Sequence, residues 1–264
     1  MSKTRVSIVT CVNDNDKYES CARESLAESC QNESAELIAV DNTGNLLSAP
    51  RALNDGLKRA RANIVVCCHQ DVIFPPNWVE NLLEQITVIE QTQKNWGVLG
   101  TFGVAENGMF AGHIIDVHGH FWCEPLPAEV QSLDEHCLIM RKDSGLNFDE
   151  NLGGFHLYGA DLCLEALSKG MSNFAIDAPV KHLSGGKVDA DFFETADRLY
   201  KKWKQLNTPL PVIQTTCKMI RLQSGLKGLI SYRIARIKRK RRRKKVKKLL
   251  QAGYDYTTLR HDSI

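Results

Sequence analysis

The feature that most limits the fold is an alternation of short apolar runs, rich in β-branched residues, with segments of helical composition. Val6 to Val12, Glu36 to Val40 and Asn63 to Cys68 have the length of buried strands, and Arg51 to Ala62 has the composition of a helix. Strands that alternate with helices favour a parallel sheet with crossover helices. With 264 residues and 43% apolar content, the chain can build one sizeable domain of this α/β class.

Polar residues follow these strands where each strand ends. They are Asn13, Asp41-Asn42, His69-Gln70-Asp71 and, after a later apolar run, His182. In an open parallel sheet, ligands bind outside the carboxyl ends of the strands. We therefore predict a binding site formed by these residues at one rim of the sheet, with His182 included if the last strand joins it.

The remaining segments define the predicted domain limits. Pro75-Pro76 precedes WVENLLEQITVIEQ, which has the proline start and apolar spacing of a helix. Between Gly103 and Glu135 the helical pattern stops, and glycines with short apolar pieces predict hairpins or an inserted flap. Asp189 to Leu206 predicts another helix, and the following NTPLP is typical of a linker. We predict one domain over residues 1–206, then a linker and a C-terminal helix over residues 207–264.

The basic residues are concentrated near the C-terminus. Between Lys218 and Leu250 there are 15 Lys and Arg and no acid, whereas the preceding 217 residues hold 18 basic and 29 acidic side chains. Apolar residues occur at helical spacing before the densest cationic run, at Leu226, Leu229, Ile230, Ile234 and Ile237. This pattern predicts a basic amphipathic helix that binds an anionic membrane surface through residues 226–250.

Two alternatives to membrane binding stay open for this segment. A run of Lys and Arg can neutralise nucleic-acid phosphates, or the helix can simply be solvated. No nucleic-acid-binding motif and no interleaved aromatic residues accompany the run, which disfavours nucleic acid. The sequence shows neither a long apolar run nor a secretory signal, so we predict a cytoplasmic protein that can attach to the inner face of the cell membrane.

Six motifs in a fixed order resemble the family 2-like glycosyltransferases of GT-A fold, in particular a bacterial branch with a His-Gln-Asp segment. They are VSIVTCVND, ELIAVDN, RALNDGLKRA with ANIVVCCHQDVIFPPNWVENLL, WGVLGTFG, CLIMRKDSGLNFDENLGGFHLYGADLCLEA and FAIDAPVKHLSGG. The resemblance covers roughly residues 5–187 and implies a Rossmann-like mixed, mainly parallel sheet flanked by helices. It also implies sugar transfer from a nucleotide-sugar donor to a glycan or lipid-linked acceptor, inversion at the sugar, and a divalent metal, Mn²⁺ or Mg²⁺.

The resemblance implies metal-binding roles for Asp71 and His182. Asp71 matches the last position of the family's Asp-x-Asp motif, while His69 stands at the first position, so only one acid is present there. A carboxylate and a neutral imidazole can together hold a divalent cation. The alternatives are that Asp71 caps a turn or the following helix and that His182 is an ordinary loop histidine.

The resemblance also implies nucleotide-sugar-binding residues at the rim. Asp41 resembles the acid that hydrogen-bonds the base or ribose, and Thr10 and Asn13 lie beside it in sequence. The other predicted members of this set are Asn42, His69 and Gln70. For Asp41, a turn closed by its own carboxylate is an equally good interpretation.

The acid that usually serves as base in such enzymes is missing from its expected position, which falls on Gly159 in FHLYGADLCLEA. A base must take the proton of the acceptor hydroxyl during transfer. Asp161, which matches the second acid of the motif, is our predicted catalytic residue, with His156 as a possible assistant. The alternative is a catalytically silent GT-A domain that binds nucleotide sugar or glycan and acts through its basic tail.

Overall fold

The computed structural model describes residues 4–29, 35–123, 125–206 and 208–251. A seven-stranded sheet lies at the centre, as predicted. In spatial order, its strands are β2 (Ala35–Asp41), β1 (Val6–Val12), β3 (Ile64–Cys68), β11 (Cys137–Arg141), β5 (Trp96–Gly100), β12 (Ser172–Ala175) and β9 (Ala128–Val130).

Most of this sheet is parallel, but two strands are reversed. Strand β1 pairs in parallel with both β2 and β3, and β12 pairs in parallel with β5. Strand β11 lies between β3 and β5 and is antiparallel to both, while β9 is antiparallel to β12 at the edge. The start of β11, rather than its end, therefore lies beside the carboxyl end of β3.

Helices cover both faces of the sheet. They are α1 (Asn15–Tyr18) and α2 (Glu24–Ser29), joined by a π-helical turn (Glu19–Arg23), then α3 (Ala49–Arg59), α4 (Trp78–Thr92), α5 (Tyr158–Ser168) and α6 (Ala190–Gln205), with short 3-10 helices at Lys142–Ser144 and Glu150–Leu152.

Successive side chains of β3 enter opposite cores. Val65 and Cys67 pack in the core with α3, α5 and α6, and Val66 and Cys68 pack in the core with α4. Burial on both faces explains why the strands are continuous apolar runs in the sequence.

A second sheet is built mainly from the segment predicted as hairpins. Its strands are β10 (Ser132–Leu133), β6 (Phe102–Val104), β7 (Phe110–Asp116), β13 (Lys181–His182) and β4 (Val72–Ile73) in spatial order, with β8 (Gly119–Cys123) paired to β7. The later apolar run that precedes His182 spans Phe174 to Val180 and is divided. Its first residues end β12, and the chain then enters this second sheet at β13. His182 therefore approaches the rim from the second sheet rather than from the central one.

The region after α6 contains more structure than the predicted linker. Strands β14 (Val212–Gln214) and β15 (Met219–Arg221) form a hairpin, and Ile213, Ile220 and Leu222 pack into the same core as α6. Helix α7 (Gly225–Gln251) follows and contacts this hairpin. Residue 207 of the predicted linker and residues 252–264 of the predicted tail lie outside the described residues. No helix among the described residues has both the length and the apolar content needed to cross a membrane.

Candidate functional site

A pocket of about 770 Å³ opens at the rim where β1 and β3 end. Its walls come from the ends of these strands, from β6, β7 and β8 of the second sheet, from the loop before β11, from the start of α5 and from the segment after β13. Among the predicted site residues, those that line the pocket are Asn13, His69, Gln70, Asp71, His156 and His182.

Three of these residues form a compact group of possible metal ligands. One ligand atom each from His69, Asp71 and His182 lies within 4.8 Å of the others. Nε2 of His182 is 3.4 Å from Oδ1 of Asp71 and 3.1 Å from Nδ1 of His69. The antiparallel pairing of β4 with β13 sets this geometry, because it aligns His182 with Val72 directly after Asp71.

The protonation states suit a divalent cation. Burial opposes ionisation of Asp71, but the hydrogen bond and charge of His182, helped by Ser184, outweigh it and hold the pKa of Asp71 well below its ordinary value. Burial, assisted by His182, lowers the pKa of His69 to about 4, so its imidazole is neutral at neutral pH. An ionised carboxylate beside a neutral imidazole is a donor set that Mn²⁺ and related ions accept. The residues present therefore fit the metal that the resemblance implies.

A second pair of residues supports His182 from behind. Nδ1 of His136 is 2.9 Å from Oδ1 of Asp134, and its Nε2 is 2.6 Å from the hydroxyl of Thr101. The His136 ring stacks on the ring of His182 with centroids 5.4 Å apart. Burial raises the pKa of Asp134, but His136 and the hydroxyl of Thr216 lower it by more than burial raises it. The pKa of Asp134 is therefore below its ordinary value. The His136 ring, itself held by Asp134 and Thr101, therefore packs against His182, whose Nε2 is also 3.1 Å from the hydroxyl of Ser184.

Gln70 and Asn13 join the ends of the two parallel strands. Oε1 of Gln70 accepts hydrogen bonds from the backbone N–H groups of Asn13 and Asp14, both at 3.0 Å. Nε2 of Gln70 donates to Oδ1 of Asn13 at 2.6 Å. Both residues line the pocket beside His69, so the structure brings this part of the predicted nucleotide-sugar-binding set together.

Three other residues of that set do not line the pocket. Thr10 is fully buried within β1, and its hydroxyl is 3.3 Å from Sγ of Cys68. Asn42 is buried, and its amide group hydrogen-bonds both backbone groups of Leu47. Asp41 is exposed, and its carboxylate accepts hydrogen bonds from the backbone and hydroxyl of Thr43, which is the turn given above as the alternative. Each of the three makes these hydrogen bonds within the protein, and their contact with nucleotide stays a prediction.

The predicted base, Asp161, faces away from the pocket. Its carboxylate is buried and accepts hydrogen bonds from Nε1 of Trp203 at 2.7 Å and from Nζ of Lys202 at 2.8 Å. Two residues along a helix correspond to a rotation of about 200°, so Asp161 points toward α6 while position 159 faces Glu135 and Leu138 on the other side of α5. This geometry corrects the prediction that Asp161 takes the acceptor proton.

His156 does line the pocket, with Nε2 3.4 Å from Oδ1 of Asp189.

Sequence reasoning missed four residues of this site, all in or near the loop before β11 and the start of α5. They are Asp134, Glu135, His136 and Tyr158. The hydroxyl of Tyr158 is 3.0 Å from Nε2 of His69, which ties the start of α5 to the metal-ligand group. The available signal was the charged run LDEH directly before the apolar CLIM run. That run approaches the rim only because β11 is reversed.

Comparison with known proteins gives one family. Residues 7–182, two thirds of the chain, match the glycosyltransferase-like family. A protein of Fuscovulum blasticum named ATP synthase subunits region ORF 6 is 29% identical over 207 residues, which are 75% of this chain and 83% of that protein.

Several solved structures have a similar fold. Residues 1–349 of S. aureus TarS superpose with a TM-score of 0.50 and 16% identity over 78% of this chain and 66% of that chain. GalNAc-T7 with UDP, GalNAc and Mn²⁺ has a TM-score of 0.55 and 9% identity over 78% of this chain and 49% of that chain. The mannosyltransferase PcManGT from Pyrobaculum calidifontis, in complex with GDP-Man and Mn²⁺, has a TM-score of 0.50 and 13% identity over 77% of this chain and 64% of that chain.

The chain thus spans about half to two thirds of the length of these solved structures. At such low identity, the likeness concerns the fold, and it confirms the predicted arrangement of a central sheet flanked by helices. Together with the match over residues 7–182, it shows that the chain belongs to the glycosyltransferase-like family and has the GT-A fold.

Proposed function

We propose that this protein transfers a sugar from a nucleotide-sugar donor to a hydroxyl group of a glycan or lipid-linked acceptor, with inversion at the sugar and with Mn²⁺ or Mg²⁺ as cofactor. The observation that carries this proposal is the His69, Asp71 and His182 group at the rim of the central sheet, inside a pocket of about 770 Å³. That volume suits a nucleotide sugar, since pockets for ligands of this size are typically several hundred Å³.

The His69, Asp71 and His182 group would act on the diphosphate, which is the leaving group of the donor. Asp71 and His182, with His69 beside them, would hold the cation, which when bound neutralises charge on the diphosphate as its bond to the sugar breaks. His136, which is hydrogen-bonded to Asp134, would support His182 in this role through the contact between the two rings. Two of the structural neighbours, GalNAc-T7 and PcManGT, were solved with Mn²⁺, and this supports the choice of metal.

The two sides of the pocket suggest where donor and acceptor bind. Asn13 and Gln70 present amide groups at the ends of β1 and β3, where a nucleotide can be hydrogen-bonded. The opposite wall carries Phe102, Phe110 and Phe121 of the second sheet. Aromatic faces bury the apolar side of a ring while its hydroxyls stay accessible, so we assign this wall to the acceptor.

Ligand-dependent stability provides the first test of the proposed function. We expect UDP or GDP to raise the melting temperature in the presence of Mn²⁺ and to have little effect with EDTA, because ligand at a hundred times its Kd stabilises by about 2.7 kcal/mol. Release of the matching nucleoside diphosphate from UDP- and GDP-linked sugars then measures turnover. If no nucleotide shifts the melting temperature with metal and no donor is consumed, the proposed function is wrong.

Helix α7 supports a further element of this proposal, attachment to an anionic membrane surface. Its apolar side chains Leu226, Leu229, Ile230, Ile234 and Ile237 are all exposed, between 43% and 73%. They recur at helical spacing and so form one stripe, and the helix also carries 13 Lys and Arg and no acid. Such a helix can place its apolar stripe among the acyl chains of a membrane while its Lys and Arg contact the acidic headgroups. A lipid-linked acceptor would be present at such a surface.

Vesicle sedimentation tests this attachment. We expect the protein to pellet with phosphatidylglycerol vesicles at low salt and to remain in solution with phosphatidylcholine vesicles, because each basic residue near an anionic surface contributes about 1 kcal/mol. About 0.5 M salt should release it by screening. The matched variants are Ile234→Asp, which interrupts the stripe, and Val88→Asp, which places the same charge on exposed α4. Binding that is equal for both variants, or binding to duplex DNA without binding to vesicles, would contradict the membrane proposal.

A further inference from the structure

The space expected for the missing acid at position 159 is filled by another side chain. A Cβ on Gly159 would lie 2.8 Å from Cγ of Glu135 and 3.2 Å from Cδ1 of Leu138. Gly159 lies within helix α5 and does not have the positive φ that requires glycine. Since real Cβ contacts are not that short, a side chain at position 159 would displace Glu135 from its present position.

Glu135 is held firmly in this position. Its Oε1 accepts a hydrogen bond from the backbone N–H of Gly159 at 3.2 Å, and the N–H of Leu157 also donates to the carboxylate. These are unpaired donors at the N-terminus of α5, where a helix favours a carboxylate. The side chain is half-buried and lines the pocket. Glu135 thus presents a fixed carboxylate at the place where the family resemblance implies one.

The same carboxylate shares a wall with the metal-ligand group. The hydroxyl of Tyr158 lies between the backbone carbonyl of Glu135, at 3.5 Å, and Nε2 of His69, at 3.0 Å. Nδ1 of His69 is in turn 3.1 Å from Nε2 of His182. Tyr158 thus joins the backbone of Glu135 to the ligand group, and Glu135, His69, Asp71 and His182 all line the same pocket.

We propose that Glu135 is the base of the transfer reaction and replaces the acid that is absent at Gly159. This inference rests on the proposed function. In the step, the acceptor oxygen forms a bond to the anomeric carbon while the bond from that carbon to the diphosphate oxygen breaks. Its electron pair leaves with the nucleoside diphosphate, and the hydroxyl proton passes to the Glu135 carboxylate and from there to solvent.

The electrostatics of Glu135 are consistent with this role. Burial, with a smaller contribution from the charge of Asp134, raises its pKa to about 8, although the N–H groups of Gly159 and Leu157 act in the opposite direction. A base is most effective when its pKa is near the working pH. The other titratable groups around it are Tyr158 and Cys163 on α5 and Cys217 between β14 and β15. Since the ionised form is the active one, turnover should rise with pH and level off above about 8.

Moving the carboxylate from position 135 to position 159 tests whether Glu135 is the base. Glu135→Gln keeps the hydrogen-bond acceptor but cannot take a proton, and we expect donor turnover to fall by roughly a hundredfold to ten-thousandfold. Gly159→Asp alone should also lose activity, because the new side chain collides with Glu135. The double variant Glu135→Ala/Gly159→Asp relieves the shortest contact and leaves only that with Cδ1 of Leu138, the end of a flexible side chain, so turnover should recover at least about tenfold relative to Glu135→Ala, a strong departure from additivity.

Two controls distinguish a failure of the Glu135 assignment from a failure of the proposed function. Binding of UDP or GDP with Mn²⁺ should be unchanged in Glu135→Gln, and Glu129→Gln, which alters an exposed glutamate on β9 outside the pocket, should retain wild-type turnover. If Glu135→Gln stays within about threefold of a working wild type, or if its loss is explained by weaker nucleotide binding, Glu135 is not the base and the proposed function still stands. If the wild type neither binds nucleotide nor consumes any donor, both fail.

Discussion

Replacing Asp71 with alanine will reduce donor turnover by roughly a hundredfold to a thousandfold, since a lost metal ligand removes several kcal/mol of charge stabilisation and each 1.36 kcal/mol changes a rate about tenfold. Asp71 is the one carboxylate in the ligand group, and its low pKa shows that the surroundings favour its charged form. Without it, His69 and His182 remain as two imidazoles, which are weak ligands for Mn²⁺. The stabilisation by UDP or GDP with Mn²⁺ should disappear together with turnover.

Asp55→Ala is a suitable control for this substitution. Asp55 is a carboxylate on α3 that pairs with Lys58 at 2.9 Å on the protein surface, so its removal should leave turnover and metal-dependent stability unchanged. Turnover and Mn²⁺ dependence should be measured for both variants with the same donor. If Asp71→Ala keeps wild-type turnover and still responds to Mn²⁺, the assignment of the metal site is wrong.

Replacing Asp161 with alanine will destabilise the protein by about 3 kcal/mol, because a buried donor and a partly buried charge both lose a partner. Nε1 of fully buried Trp203 would have no acceptor, and Lys202 would keep only Asp149, whose Oδ2 is 3.0 Å from Nζ. Urea unfolding measures this loss as a lower midpoint at unchanged slope. Nucleotide binding with Mn²⁺ should be retained below the unfolding transition.

Asp161→Asn provides the matched comparison. Its side-chain oxygen can still accept the Trp203 hydrogen bond, so we expect a smaller loss of stability than in Asp161→Ala. The pair of variants also tests the correction made above. A large fall in turnover for Asp161→Asn, with stability and nucleotide binding intact, would return the role of base to Asp161.

The parts of the fold that sequence reasoning predicted are those with an unambiguous periodicity. Strand β3 is apolar throughout, and β1 is apolar except for the small residues Ser7 and Thr10, because both faces are buried. Helix α4 shows its apolar residues at helical spacing. The β14–β15 hairpin was missed, since strands of three residues are too short to show a period. The direction of β11 could not be predicted either, because side chains alternate in the same way whichever way a strand runs.

These limits explain the outcome at the site. Asp71 follows a clear strand, so its position at the rim could be predicted together with those of Asn13 and Gln70. Glu135 could not be found in this way, since it precedes its strand and reaches the rim only through the reversal of β11. The direction of the Asp161 side chain could not be found either, since the rotation of α5 depends on packing against Trp203, which lies 42 residues further along the chain.

The two-residue ladder between β4 and β13 has an evolutionary consequence. It aligns His182 with Val72 and Lys181 with Ile73, and the backbone N–H of Leu183 donates to the carbonyl of Asp71. Because side chains alternate along a strand, a shift of one residue would turn His182 to the opposite face. On its other side β13 is paired with β7 through Lys181 and Ile115, so few pairs resist such a shift. A single-residue insertion or deletion between β12 and β13 is therefore a direct route by which a descendant of this protein could lose the metal site while its two cores stay intact.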